Sequence, residues 1–364
     1  MPPDWLRGVA LTLAVLTAGC GTDTPVAPTP TIPDTIETAL LSCPPSVERQ
    51  SVGGLPVSIT WDLPTVAGIG VDKGSCSPVS GTAFPVGTST VTCTPDQTTL
   101  ASACSFAITI TPPDPVLRVS TFLAFGDSIT AGVVGSSFLP YGVSAREVRG
   151  LLRASGGQSI PGILAATLQP LSSYPAQLQT LLAPIYSTQM VGVSNEGLPG
   201  ERASEGVSRL AALLPSVRPD VLMLLEGIND IDLAVNARPV GETSRIDVAP
   251  IAASLRSMVT AAQGLGIEVL LATLTPVGFP QEDTPGAREA VLDLNDEIRR
   301  MATELGLGGA VDLHAALEGV PGIIGADEIH PTVAGYRRMG EIFFTEIVSR
   351  YDITPQAPSL SVVR

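Results

Sequence analysis

Two patterns of apolar and polar residues divide this chain. From about Leu41 to Thr111, short β-branched runs, VSITW at 57–61, TSTVTCT at 88–94 and FAITITP at 106–112, are broken by Gly and Pro. That pattern predicts an all-β region. PPDPV at 112–116 is a linker by composition. Beyond it the period changes, and apolar runs alternate with amphipathic stretches. The runs Val119 to Phe125, Met190 to Val193, Val221 to Leu225, Glu268 to Leu274 and Ala310 to Leu313 predict strands. Between and after them, Tyr174 to Leu182, Ser204 to Leu214, Ala249 to Gln263, Ala287 to Leu305 and Thr332 to Arg350 predict helices. Strand and helix in alternation predict a parallel sheet covered on both faces, with its ligand outside the carboxyl ends of the strands.

The N-terminus adds a different kind of segment. MPPDWLRGVALTLAVLTAGC carries one Arg, an apolar stretch from Val9 to Leu16 and small residues before Cys20, which reads as an export signal too short to span a bilayer. LTAGC resembles a bacterial lipobox, which implies lipidation of Cys20. Residues 21–39, opening GTDTPVAPTPTIP, form a Pro/Thr tether without the means to build a core. The expectation is an exported protein, on the outer membrane or cell surface as a lipoprotein, or periplasmic or secreted if only cleaved.

With 364 residues, 44% of them hydrophobic, the chain has material for two cores. A net charge of −15 argues against nucleic acid and against anionic membrane surfaces except through the lipid anchor. Setting Cys20 aside, four cysteines remain, all before residue 105, and four cysteines allow three pairings. Cys43-Pro44-Pro45, CSPVSGTAFPVGTSTVTC at 76–93 and CSFAITI from Cys104 resemble an HYR (hyalin repeat) module, an immunoglobulin-like sandwich. That resemblance implies the disulfides Cys43–Cys104 and Cys76–Cys93.

The ends of the predicted strands carry the candidate chemistry. Gly126-Asp127-Ser128 follows the first, Asn195-Glu196-Gly197-Leu198-Pro199-Gly200 the second, Gly227-Ile228-Asn229-Asp230 the third, and Asp327-Glu328-Ile329-His330-Pro331 lies beyond the fifth. These four segments, in this order, resemble the blocks of the SGNH (GDSL-type) hydrolase superfamily over residues 119–350. The resemblance implies a flavodoxin-like three-layer α/β/α sandwich with a five-stranded parallel sheet. It also implies Ser128 as nucleophile, Asp327 and His330 as the rest of a triad, and an oxyanion hole made by Ser128, Gly200 and Asn229.

The chemistry of these residue types agrees. A serine hydroxyl needs a base, and imidazole titrates near neutrality. A carboxylate three residues before His330 can hold its tautomer and stabilise the cation that forms. Donors at Ser128, Gly200 and Asn229 suit the oxygen of a tetrahedral intermediate, and a glycine at 200 lets the backbone approach that oxygen closely. The chain has one other histidine, His314 in VDLHAAL, which reads as a packed or surface residue. Asp127 and Asp230 read as acceptors for loop amides, and Glu226 as facing the pocket or structural.

No Gly-x-Ser-x-Gly elbow, His-Glu-x-x-His motif or phosphate loop occurs, so no metal or organic cofactor is expected. The domain layout is a signal at 1–20, a tether at 21–39, a β-module at 40–112, a linker at 113–118, a hydrolase-like domain at 119–351 and a tail at 352–364. An insertion at about 133–173 directly follows the nucleophile and reads as a cap or a packing element. The expected activity is that of a monomeric serine esterase working through an acyl-enzyme on an O-acyl group of a polysaccharide or on a small or lipid ester. The competing expectation is a non-catalytic adhesion or glycan-binding surface protein.

Overall fold

The computed structural model describes residues 39–66, 69–70, 75–95, 101–135, 166–238, 242, 244–278 and 286–355. Cys20, the tether up to residue 38 and most of the insertion lie outside the described residues. The described residues fall into two compact units, those within 1–45, 60–80 and 90–106, and those within 46–59, 81–89 and 107–364. The division passes through the β-rich region rather than along PPDPV.

That region holds β1 (Ala39–Ser42), β2 (Val47–Gln50), β3 (Val57–Ser58), β4 (Thr65–Val66), β5 (Ile69–Gly70), β6 (Ser75–Ser77) and β7 (Ala83–Phe84). After them come β8 (Gly87–Thr94), β9 (Ala101–Ser102) and β10 (Cys104–Thr111). One sheet runs β2-β10-β8-β6 and another β5-β4-β1-β9. In β8 and β10 buried and more exposed residues alternate, with Val91, Cys93, Ile108 and Ile110 facing inward, as expected of sheets with one covered face. Cys43 is bonded to Cys104, and Cys76 to Cys93, whose Cα atoms stand 4.0 Å apart on the paired strands β6 and β8.

The second pattern builds β11 (Thr121–Gly126), α1 (Ser128–Ala131), β12 (Val133–Gly135), β13 (Ala166–Leu168), α2 (Tyr174–Ile185), β14 (Gly192–Gly197) and α3 (Ala203–Val217). It continues with β15 (Val221–Leu225), α4 (Ile228–Asn236), α5 (Ala249–Gly264), β16 (Glu268–Leu271), α6 (Ala287–Glu304), α7 (Leu313–Leu317) and α8 (Val333–Tyr351). The sheet runs β14-β11-β15-β16 with every neighbour parallel. Its fifth member is reduced to one parallel bridge, Ala272 to Val311, because the chain turns into α7 at Leu313. With that bridge the strands follow a flavodoxin-like order.

Strands β11 and β15 are apolar without alternation because helices cover both faces. Helix α2 packs on α8, while α3 packs on α5 and α5 on α6. Tyr174 on α2 stacks on Phe343 of α8 at 4.9 Å between ring centroids. Strand β14 begins two residues later than the apolar run suggests, since its GVSNEG sequence is that of a half-exposed edge strand. Among the described residues no helix is long and apolar enough to cross a membrane.

The start of β11 is held by one carboxylate oxygen. Asp220 Oδ2 accepts the amides of Ser120 and Thr121 at 2.8 Å each and the Thr121 hydroxyl at 2.9 Å. Partial burial works against the charge, but these donors outweigh it and hold the carboxyl below its ordinary value of 3.8. Such a group contributes stability above its unfolded value, and that contribution is lost as pH falls through the folded one. Asp220→Asn is therefore expected to lower the melting temperature at pH 7 by roughly 2–4 °C, with the gap narrowing below pH 3.8. Melting curves across pH that show a constant gap would exclude the charge as its source.

Candidate active site

The Gly-Asp-Ser turn forms where β11 ends. Gly126 passes so close to β15 that a Cβ there would sit 2.0 Å from the Leu225 carbonyl oxygen. Asp127 caps α1, its Oδ1 accepting the Ile129 amide at 2.9 Å. Ser128 is the first residue of that helix, and its Oγ lies 2.8 Å from His330 Nε2. On the other side of the ring, His330 Nδ1 lies 2.6 Å from Asp327 Oδ2. Asp327 is fully buried, and Ser128 and His330 nearly so. The structure thus brings together three residues, two of them 202 positions apart in sequence.

The loop carrying Asp327 and His330 is pinned at several points. Asp327 Oδ1 accepts the His330 amide at 3.1 Å and that of Ile329 at 3.3 Å. Glu328 adopts φ 71°, a left-handed conformation uncommon for a residue with a side chain. The Gly278 amide donates to the Glu328 carbonyl at 2.9 Å, and the Gly135 amide to that of Pro331 at 2.9 Å. Thr332 then caps α8 through the Gly335 amide.

Gly200 and Asn229 meet through Glu201. The side-chain amide of Asn229 donates to the Glu201 carbonyl at 2.9 Å, which leaves its second N–H for another acceptor. Gly200 has φ 83°, and nothing described lies within 4 Å of a Cβ placed there. The glycine is therefore required by the backbone angle, and the space around it is open.

Of the other titratable candidates, Asp127, Asp230 and Glu226 lie beside the site and His314 lies on α7. Asp230 Oδ2 accepts the Ala203 amide at 2.9 Å, so Asp127 and Asp230 both serve backbone amides, but in the first turns of α1 and α3 rather than in loops. Burial pushes the Asp127 carboxyl up to about 7, against the opposing pull of the Ile129 amide and His330. Glu226, at the end of β15, is 1% exposed, and neither of its carboxylate oxygens has a hydrogen-bond partner among the described residues. Burial, reinforced by Asp127 and Glu201, holds it well above the ordinary value of 4.5. His314 sits in α7, where burial lowers its basicity; the Asp312 carboxylate takes Arg299 and the Ala315 amide instead. Glu201 and Arg209, which no sequence motif singled out, form a largely buried ion pair beside Gly200. Their only signal was a charge next to the Gly200 turn and an arginine within an amphipathic helix. Among the described residues no group of three or more His, Cys, Asp or Glu is placed to hold a metal ion.

Residues 124–338 match the GDSL-like lipase/acylhydrolase family. The chain belongs to that family. Residues 33–110 match the HYR domain. Over 181 residues, 48% of its own length and 81% of the relative's, this GDSL-like hydrolase is 24% identical to an acetylxylan esterase from Geobacillus stearothermophilus. A solved structure of a catalytic mutant of an acetylxylan esterase from the same organism matches at 22% identity and TM-score 0.46, covering 64% of this chain and 96% of that one. A carbohydrate acetylesterase family member from Sinorhizobium meliloti matches at 17% identity and TM-score 0.44, over 63% and 98%. The M. smegmatis aryl esterase matches at 19% and 0.44, over 63% and 99%. The protein is a carboxylic ester hydrolase with an N-terminal HYR domain.

An acid held above its ordinary value in the folded chain costs stability as pH rises above the unfolded value, here 4.5. That cost is complete once the folded value is passed. Glu226→Gln keeps the shape and removes the titration, so it is expected to melt roughly 2–4 °C above wild type at pH 8. Near pH 4 the two should melt together. A pH-independent difference in calorimetry would assign the effect to packing.

Proposed function

We propose that this GDSL-like hydrolase deacylates through an acyl-enzyme on Ser128, with His330 as base and Asp327 as its partner, and that its substrate is an O-acetylated polysaccharide. The observation that carries the mechanism is the chain of contacts from Ser128 Oγ to His330 Nε2 at 2.8 Å and from His330 Nδ1 to Asp327 Oδ2 at 2.6 Å. With the Nδ1 proton donated to Asp327, Nε2 is left to accept the serine proton as Oγ attacks the ester carbonyl. The imidazolium then returns that proton to the leaving alcohol. Water, deprotonated by the same nitrogen, releases the acid and regenerates Ser128.

In both tetrahedral states the developing oxyanion would be met by the amides of Ser128 and Gly200 and by the free side-chain N–H of Asn229. Such donors act on charge that appears only in the transition state, so they accelerate the chemical step rather than binding. The acetylxylan esterase relationship supports an acetylated sugar polymer as substrate. An exported, Cys20-anchored enzyme would meet such polymers outside the cell.

Acetate release from acetylated xylan and hydrolysis of p-nitrophenyl acetate test the reading. Ser128→Ala and His330→Ala are each expected to lower kcat by about 10⁴-fold or more, as single triad deletions do. Asn229→Ala should lower kcat by about 10²–10³-fold, and His314→Ala should stay near wild type. An inert wild type, or a fully active Ser128→Ala, overturns the esterase mechanism. Activity on the small ester without acetate release from the polymer overturns the substrate assignment alone.

A further inference from the structure

Arg209 stands on α3, eight residues beyond Glu201, and its guanidinium makes four polar contacts in one place. Nε donates to Glu201 Oε1 at 2.6 Å, and Nη2 to the second oxygen of the same carboxylate. Nη1 donates to the Glu196 carbonyl at 2.9 Å, and Nη2 also reaches the Gly126 carbonyl at 3.3 Å. The planar group lies over the Phe125 ring, 3.8 Å from its centroid. The Glu201 side chain is 3% exposed and that of Arg209 25%, so the pair is largely shielded from water.

The partners are not arbitrary positions. Gly126 is two residues before the nucleophile Ser128. Glu196 is the next-to-last residue of edge strand β14, and Glu201 directly follows Gly200. The Glu201 backbone carbonyl in turn accepts the Asn229 side chain at 2.9 Å. One guanidinium therefore ties the end of the nucleophile strand, the end of its neighbour and the turn that carries one oxyanion donor and steadies another. An arginine is suited to this because its rigid fork serves several acceptors at once, and lysine would supply a single point charge.

We propose that Arg209 is a positioning residue that sets the oxyanion hole: it acts through Glu201 on the Gly200 amide and the Asn229 side chain and touches no substrate. The proposal rests on the hole assigned above. Loss of the fork leaves the triad contacts among Ser128, His330 and Asp327 in place and loosens the donors. The chemical step slows while ground-state binding stays, because a displaced donor is missed chiefly when charge develops on the oxygen.

The test is a double-mutant cycle on p-nitrophenyl acetate, with folding verified by circular dichroism and assays run well below each melting temperature. Arg209→Lys and Arg209→Met are expected to lower kcat by about 10–100-fold with KM changed less than about threefold. The acidic limb of the kcat/KM profile should stay where wild type has it, since the triad is untouched. Asn229→Ala, worth about 10²–10³-fold in wild type, should cost less than about tenfold in the Arg209→Met background, because the hole is already disordered. If Asn229→Ala costs the same factor in both backgrounds, Arg209 is a structural brace and the proposal fails. Should Arg209→Met not fold, Glu201→Gln runs the same cycle with the same criterion, retaining the side-chain shape and the Arg209 contacts to Glu196 and Gly126. An inert wild type would overturn the ester-hydrolase mechanism itself, an outcome separate from additivity in an active enzyme.

Discussion

The register of strand β11 is the constraint on which the site depends. Bonded on both sides, β11 sets Gly126 opposite Gly197 on one neighbour and opposite Leu225 on the other, so three parallel strands end level. Ser128, Gly200 and Asn229 each follow that line within a few residues, on turns too short to wander. A slip of one residue in a parallel strand would turn its side chains to the opposite face. Here it would also carry Ser128 away from His330, which arrives from the far end of the domain on the loop before α8. The packing of Gly126 against Leu225 and the amides held by Asp220 fix the strand near both ends.

The same rim concentrates a largely buried set of carboxyl groups. Most of it is satisfied locally, Asp127 and Asp230 by amides in the first turns of helices, Glu201 by Arg209, and Asp327 by the amides and imidazole around it. Glu226 departs from this, with both oxygens unpartnered among the described residues and in an acidic neighbourhood. Buried polar groups without partners are costly, and this one stands two positions before Ile228, where the helix carrying Asn229 begins. Stability and site geometry are thus drawn from the same few ångströms of the sheet edge.

Much of this was legible in the sequence because the motifs mark strand ends and the long helices have a clear period. Ser128, Asp327 and His330 were found from four short segments and come together in space. What escaped had physical reasons. Strand β14 lies later than its apolar run predicts because SNEG, at an exposed edge, carries no apolar signal. Helix α4 begins inside the Gly-Ile-Asn-Asp segment, and the apolar pattern predicts no helix between the third strand and Ala249. The fifth strand shrank to a bridge at Val311. Arg209 could not be seen because its partners at 126, 196 and 201 are joined only by folding.

The turn at Gly200 carries a further implication. A residue confined by crowding selects for smallness, and several glycines of this rim are of that kind. Gly200 is not: with φ at 83° and open space where a side chain would project, the position discriminates by handedness rather than bulk. The Gly200 turn is thus one place in the domain where the mirror asymmetry of the amino acids, rather than their size, decides which residue can serve.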